Sequence, residues 1–286
     1  MFELIIENER NEQLRLTQNE DNYKIGEITG LDPPEANVNL SDNIGDGAEY
    51  VSDRTGTRNI VIPLTIVGNV EQNRIRLYNF AKNGKYIKVY FKNRSRNVWI
   101  DGRVENIDVD YFTNPEPCQI SIICPDPWWK DVEEAINSIN TVKNELHFPF
   151  YTIEPIPFSV YDTIQILNLI NKGDVSSGVT IDIFARGTII NPKIYNRETT
   201  EYIGLGNEDN PFQLLAGDRI VITTHTNKKR AKLIRNAVET NVFNYLTEGS
   251  TFLQVGAGDN VFTYSADDGN EYIDITFKHY SNYEGV

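Results

Sequence analysis

The chain has 286 residues, room for two domains of ordinary size, and a 40% hydrophobic share with 15 Tyr, 13 Phe and 3 Trp, which marks a folded rather than a disordered protein. No run approaches the ~20 apolar residues that a membrane-spanning helix needs, and the opening Met1-Phe2-Glu3-Leu4-Ile5-Ile6 does not read as a signal peptide, so synthesis in a cytoplasm is expected. A formal net charge of −14 opposes tight nucleic-acid binding, where neutralised phosphates supply most of the affinity.

Residues 2–6 and 12–16 read as a hairpin around Asn8-Glu9-Arg10-Asn11, and Tyr23 to Ile28 as a further strand. Leu31 to Gly47, with Asp32-Pro33-Pro34, Ser41-Asp42-Asn43 and Gly45-Asp46-Gly47, predicts a long loop of turn chemistry. Arg58 to Val67 resumes a strand with Ile60, Ile62, Leu64 and Ile66 on one face. The spacing then predicts a helix over about 70–83. Asn69 serves as N-cap with Gln72 three residues on, Ile75, Tyr78 and Ala81 beside Leu77 and Phe80 form an apolar side, and Gly84 is the stop. Lys85–Phe91, Val98–Val104, Ile107–Phe112 and Gln119–Ile123 follow as strands on short turns.

The strand pattern stops at Cys124-Pro125-Asp126-Pro127-Trp128-Trp129, because two prolines so close together each lack the N–H that a central strand needs. This stretch reads as the close of one domain and the hinge into another. Asp131 to Asn140 shows Val132, Ala135, Ile136 and Ile139 at helical spacing, with Asp131 as N-cap, and predicts a short linking helix. His147-Phe148-Pro149-Phe150 and Pro155-Ile156-Pro157 impose an extended path. Beyond them strand patterns recur at Thr163–Leu169, Val179–Phe184, Ile220–Thr224, Val242–Leu246, Asn260–Tyr264 and Tyr272–His279, the signature of a β-sandwich. The expected layout is a mainly β chain. It has a sandwich or split-barrel domain with one helix (about 70–83) at 1–132, a linker at 133–149 and a β-sandwich domain at 150–286.

Residues with chemistry are few and scattered. Cys118 and Cys124 lie on one predicted strand, where a rise of ~3.3 Å per residue separates their Cα atoms by roughly 20 Å, against the ~7 Å a disulfide allows. His147, His225 and His279 are far apart and outside metal spacing of any other His or Cys. No G-x-S-x-G elbow and no phosphate-cradling P-loop occurs, and Gly204-Leu205-Gly206 and Gly256-Ala257-Gly258 read as turn glycines. Asp267-Asp268-Gly269-Asn270-Glu271 invites a calcium ion, but its spacing is that of a tight turn. No catalytic, cofactor-binding or metal residue is assigned, no cofactor is implied, and the chain is read as a non-enzyme.

Lys82, Lys85, Lys88, Lys92, Arg94, Arg96 and Arg103 cluster against the acidic balance. They read either as a solvated sheet rim or as a charged surface that meets an acidic neighbour in an assembly. A β-sandwich also raises sugar binding. Sugar sites usually stack a ring on an aromatic, and Trp99, Trp128 and Trp129 all lie in the first half.

The order and spacing of several segments carry a resemblance. These are the Cys124–Trp129 close of domain one, Phe148-Pro149-Phe150, Asn171-Lys172-Gly173-Asp174, Gly187 to Ile194 with its Asn191-Pro192, Leu215-Ala216-Gly217-Asp218-Arg219-Ile220, and Phe252 to Asn260. Together they resemble the distal tail proteins of long-tailed siphophages over nearly the whole chain. The resemblance implies a virion protein of the tail tip. Its N-terminal domain would form a homohexameric ring, and its C-terminal domain would be a galectin-like sandwich facing outward. The implied partners are further copies of itself, the tail tube protein, the tape-measure protein, the tail hub or tail-associated lysin or fibre and, in some members, receptor-binding proteins. DNA passes the implied channel without being gripped. The alternative function is a carbohydrate-binding module that recognises a host cell-wall polysaccharide.

Overall fold

The computed structural model describes residues 2–17, 22–113, 115–139 and 166–286, with the backbone of 142–144 and 159–161. It resolves into two compact units, Met1–Val132 together with Asn282–Val286, and Glu133–Ser281.

In chain order the first unit contains β1 (Glu3–Asn8), β2 (Gln13–Arg15), β3 (Tyr23–Ile25), β4 (Ala36–Asp42), β5 (Ala48–Thr55), β6 (Arg58–Ile66), α1 (Val70–Phe80), β7 (Tyr86–Lys92), β8 (Asn97–Val109), β9 (Glu116–Cys124) and β10 (Trp129–Asp131). One antiparallel sheet runs β2-β1-β7-β8-β9-β6-β3, and β10 adds to β8. Strand alternation explains the packing, since successive side chains point to opposite faces. In β6 the buried residues include Ile60, Ile62, Leu64 and Ile66, and in β7 they are Ile87, Val89 and Phe91. Leu77 and Ala81 bring α1 into the same apolar core. The N-cap of α1 is as expected, with the Gln72 N–H donating to Asn69 Oδ1 at 3.4 Å.

The second unit continues with β11 (Ala135–Ile139), β12 (Val142–Asn144), β13 (Ser159–Tyr161), β14 (Ile166–Asn171), β15 (Ser177–Ala185), β16 (Ile189–Ile190), β17 (Lys193–Asn196), β18 (Tyr202–Gly204), β19 (Gln213–Leu214), β20 (Arg219–Thr223), β21 (Arg230–Arg235), β22 (Val238–Asn241), β23 (Gln254–Val255), β24 (Gly258–Ser265) and β25 (Ile273–His279). The larger sheet runs β11-β25-β15-β20-β21-β22, and a second runs β14-β24-β17-β18. Ile181, Ile220 and Phe277 from one share a core with Leu169, Ile194 and Phe262 from the other. This is a β-sandwich. The chain then returns to the first unit, where β26 (Asn282–Tyr283) pairs with β10. Among the described residues no helix is long and apolar enough to cross a membrane.

Five expectations are corrected. The stretch 31–47 is not all loop, because Ala36–Asp42 is β4 and pairs with β5 across a turn at Asn43–Gly47. Its two apolar residues, Val38 and Leu40, are too few to signal a strand against so much turn chemistry. Residues 135–139 form strand β11 on the edge of β25, not a linking helix. A free sheet edge outweighed a helical spacing too short to nucleate on its own. Ile107 to Val109 continues β8 through a bulge at Glu105, so no separate strand exists there. Finally, Val242–Leu246 is not a strand, since Phe243–Tyr245 makes a single 3₁₀ turn after β22. The predicted apolar side of α1 also differs, with Ile75 half-exposed and Asn73 buried in its place.

Candidate functional site

Among the described residues, those with potential chemistry are held apart. Cys118 and Cys124 are free and buried, and burial pushes the two thiols up to about 11 and about 12 respectively. Such thiols are poor nucleophiles and poor metal ligands at neutral pH. His225 Nε2 lies 3.3 Å from Thr180 Oγ1. His279 is fully buried with neither ring nitrogen in ordinary hydrogen-bond geometry. His147 and Phe148-Pro149-Phe150 lie outside the described residues. Among the described residues, no three His, Cys, Asp or Glu side chains converge as a metal site. Asp267 accepts from Asn191 Nδ2 at 2.7 Å, and Gly269 opens a tight turn at φ +81°.

The segments that carry the resemblance have a shared physical role. Asn171 donates to the Val175 and Val255 carbonyls at 2.9 and 3.1 Å. Asn191 Oδ1 accepts from the Phe212 N–H at 2.8 Å. Asp218 accepts from the Leu215 N–H at 2.7 Å and from Arg235 Nε at 2.9 Å. Asn260 exchanges two bonds with the backbone of Gly256 at 2.7 and 2.8 Å. All four side chains are buried. They satisfy corner backbone groups that the strands leave unpaired. Gly206 belongs to the same construction. A Cβ there would sit 2.1 Å from Asn191 Oδ1, and its φ of +79° suits glycine.

At the end of the first unit's strand run, Arg58 is 2% exposed and donates to carbonyls rather than to a carboxylate. Its Nε reaches Pro127 O at 2.6 Å, and Nη1 reaches Gly30 O at 2.7 Å and Asp32 O at 2.6 Å. Nη2 donates to Glu284 O. The guanidinium also lies 5.7 Å from the ring centre of Trp129, which is fully buried. Burial lowers the Arg58 pKa. The proline–tryptophan stretch is therefore anchored inside the first unit through Pro127 and Trp129.

What remains as a candidate site is a surface. Among the described residues, β4 and β5 pair only with each other. The register places Val38, Leu40, Ala48 and Tyr50 on one face, and Asn37, Asn39, Ser52 and Arg54 on the other. An Asn39–Ser52 hydrogen bond of 3.0 Å marks the polar face. Val38, Leu40 and Tyr50 are 53%, 60% and 58% exposed. The alternation is that of a strand pair with one covered face, yet the apolar face is bare. An isolated hairpin is marginal in water, and this one gains no cover from the described residues. Sequence reading missed it because its apolar residues are few and interrupted by a bulge at Val51.

The basic cluster lies on and around β7 and β8. Lys88 Nζ sits 3.8 Å from the ring centre of Trp99 and 4.9 Å from that of Tyr90. Lys130 Nζ lies 5.1 Å from the same Trp99 ring. Lys92, Arg94 and Arg103 are exposed. The face is therefore aromatic in its middle, with Lys92 opposite Glu3 and Lys88 between Glu7 and Asp101 around it.

No family model matches the sequence, and no curated protein matches it. Solved structures do share the fold. The Dit (gp 19.1) protein of SPP1, described as a paradigm of the hub adsorption apparatus in Gram-positive infecting phages, superposes with a TM-score of 0.67 at 10% identity over 98% of both chains. A chain of the phage P2 baseplate in its activated conformation with Ca gives 0.53 at 10% identity, over the full length of both chains. The corresponding baseplate structure with Sr gives 0.56 at 11% identity, again over both full lengths.

Proposed function

We propose that this chain is a structural adaptor of a phage-type tail tip, working without catalysis. The observation that carries the reading is the end-to-end match. Both units, in order, superpose on the SPP1 hub protein over 98% of each chain. The first unit forms a homohexameric ring, the tail tube and tape-measure proteins meet it on one side, and the hub, lysin or fibre, with any receptor-binding proteins, meets it on the other. DNA leaves through the ring without specific contact, in keeping with the net charge of −14. The second unit, 133–281, is a galectin-like scaffold for neighbours. The uncovered hairpin face and the locally cationic sheet face are features of a protein that finishes folding its surface in an assembly.

Sugar recognition is not favoured. Trp129 is sealed in a core and Trp99 lies close to Lys88 and Lys130, so neither offers a free stacking platform. The deciding experiment is native mass spectrometry with negative-stain imaging of the purified protein, beside mass-spectrometric identification of the protein in tail particles. A ring of six copies located at the tail tip is expected. Absence from tail particles overturns the role.

A further inference from the structure

The hairpin and the basic segment carry opposite charge. Residues 36–55 hold Asp42, Asp46, Glu49 and Asp53 against Arg54, a net of −3. Residues 82–103 hold seven Lys and Arg against Asp101, a net of +6 in a chain whose total is −14. On the hairpin, the carboxylates of Asp42 and Asp53 share the face of Val38 and Leu40. On the sheet, Ile5, Tyr90 and Trp99 stand side by side across β1, β7 and β8, because the register pairs Ile5 with Tyr90 and Tyr90 with Trp99. Among the described residues the apolar strip, with its two carboxylates, is thus uncovered, and on the same unit the aromatic strip shares its face with Arg15, Lys88, Lys92, Arg103 and Lys130 against Glu3, Glu7 and Asp101, a net of +2.

We propose that the apolar face of the β4–β5 hairpin of one copy seats on the outer β1–β7–β8 face of the next copy. This rests on the self-assembling reading above and names its contact. Charge selects the pairing. Two hairpins meeting face to face would bring like charges together, so the two-fold arrangement is disfavoured. Hairpin on sheet is head-to-tail, uses two different patches, and closes into a ring when the rotation permits. Lys88 lies over the Trp99 and Tyr90 rings, and Lys92 and Arg103 are exposed at the edge of the face.

Complementation in full-length protein tests this. One variant carries Val38→Asp and Leu40→Asp, spoiling the hairpin and keeping the receiving face. The other carries Lys92→Glu and Arg103→Glu, spoiling the face and keeping the hairpin. All four positions are exposed, and circular dichroism with thermal melting checks that both variants fold. Each variant alone is expected to self-associate at least ~10-fold more weakly than the unaltered protein in sedimentation velocity. Mixed one to one, they are expected to form a heterodimer, since one intact hairpin then meets one intact face. A wild-type oligomer with no heterodimer in the mixture overturns this contact and leaves the ring reading standing. A wild-type chain that is monomeric throughout overturns the contact as well, while tail particles decide the role separately.

Discussion

Arg58→Met removes one buried guanidinium and keeps a side chain of comparable reach. Four carbonyls from three segments, at Gly30 and Asp32, at Pro127 and at Glu284, then lose their donor. Charge-assisted bonds at ~1.5–3 kcal/mol each set a gross loss of roughly 6–12 kcal/mol. Relief from holding a desolvated cation offsets several of these, leaving a net cost of about 3–5 kcal/mol. That is a large share of the ~5–15 kcal/mol that holds a typical domain. Trp99, Trp128 and Trp129 all lie within the first unit, so tryptophan fluorescence in a urea titration reports that unit. The midpoint should fall markedly with an unchanged slope. Arg58→Lys should do nearly as badly, because one ammonium with three donors cannot span four carbonyls. A loss below ~1 kcal/mol in Arg58→Met would refute the reasoning, showing that water satisfies the carbonyls.

Trp129→Ala should cost about 3–5 kcal/mol in the same titration, whereas half-buried Trp128→Ala should cost clearly less, and equal losses would contradict the burial seen here. Burial lowers the His279 pKa below its usual 6.5, against a smaller upward pull from the Ile170 backbone. The folded state thus prefers the neutral ring, so stability of the second unit should be full above about pH 6.5 and fall as pH drops towards the folded value. Hydrogen exchange at pH 7 and pH 5 should show this loss, and His279→Phe should flatten it. The bonds from Arg235 and the Leu215 N–H hold the Asp218 carboxyl below its ordinary value, the first being the larger cause. Asp218→Asn should therefore weaken the second unit at neutral pH by about 1–3 kcal/mol, with the difference shrinking in strong acid. Neither thiol should react with a water-soluble maleimide until the first unit unfolds, as both are buried.

Much of the fold was legible because the strands follow period two and bury the expected face, as in β6 and β24. The segments that carry the resemblance were legible for another reason. Asn171, Asn191, Asp218 and Asn260 each satisfy backbone groups at a corner, and such duties tolerate few residue types. The candidate interface was half legible. The basic cluster stood out by charge, but the β4–β5 hairpin read as a loop, because a strand pair exposed on both faces carries no burial signal within its own chain. Strand β11 misled for a related reason: its spacing suited a helix, and only the open edge of β25 decided otherwise.

The pairing of β26 with β10 places Tyr283 opposite Trp129 and so stitches a strand that follows the second unit to one that precedes it. Without residues 282–284 the first unit lacks the partner of this edge and the Glu284 carbonyl that accepts from Arg58. The sandwich must be synthesised before the first unit can shut. A fragment released before residue 282 would present an unfinished edge to proteases and chaperones.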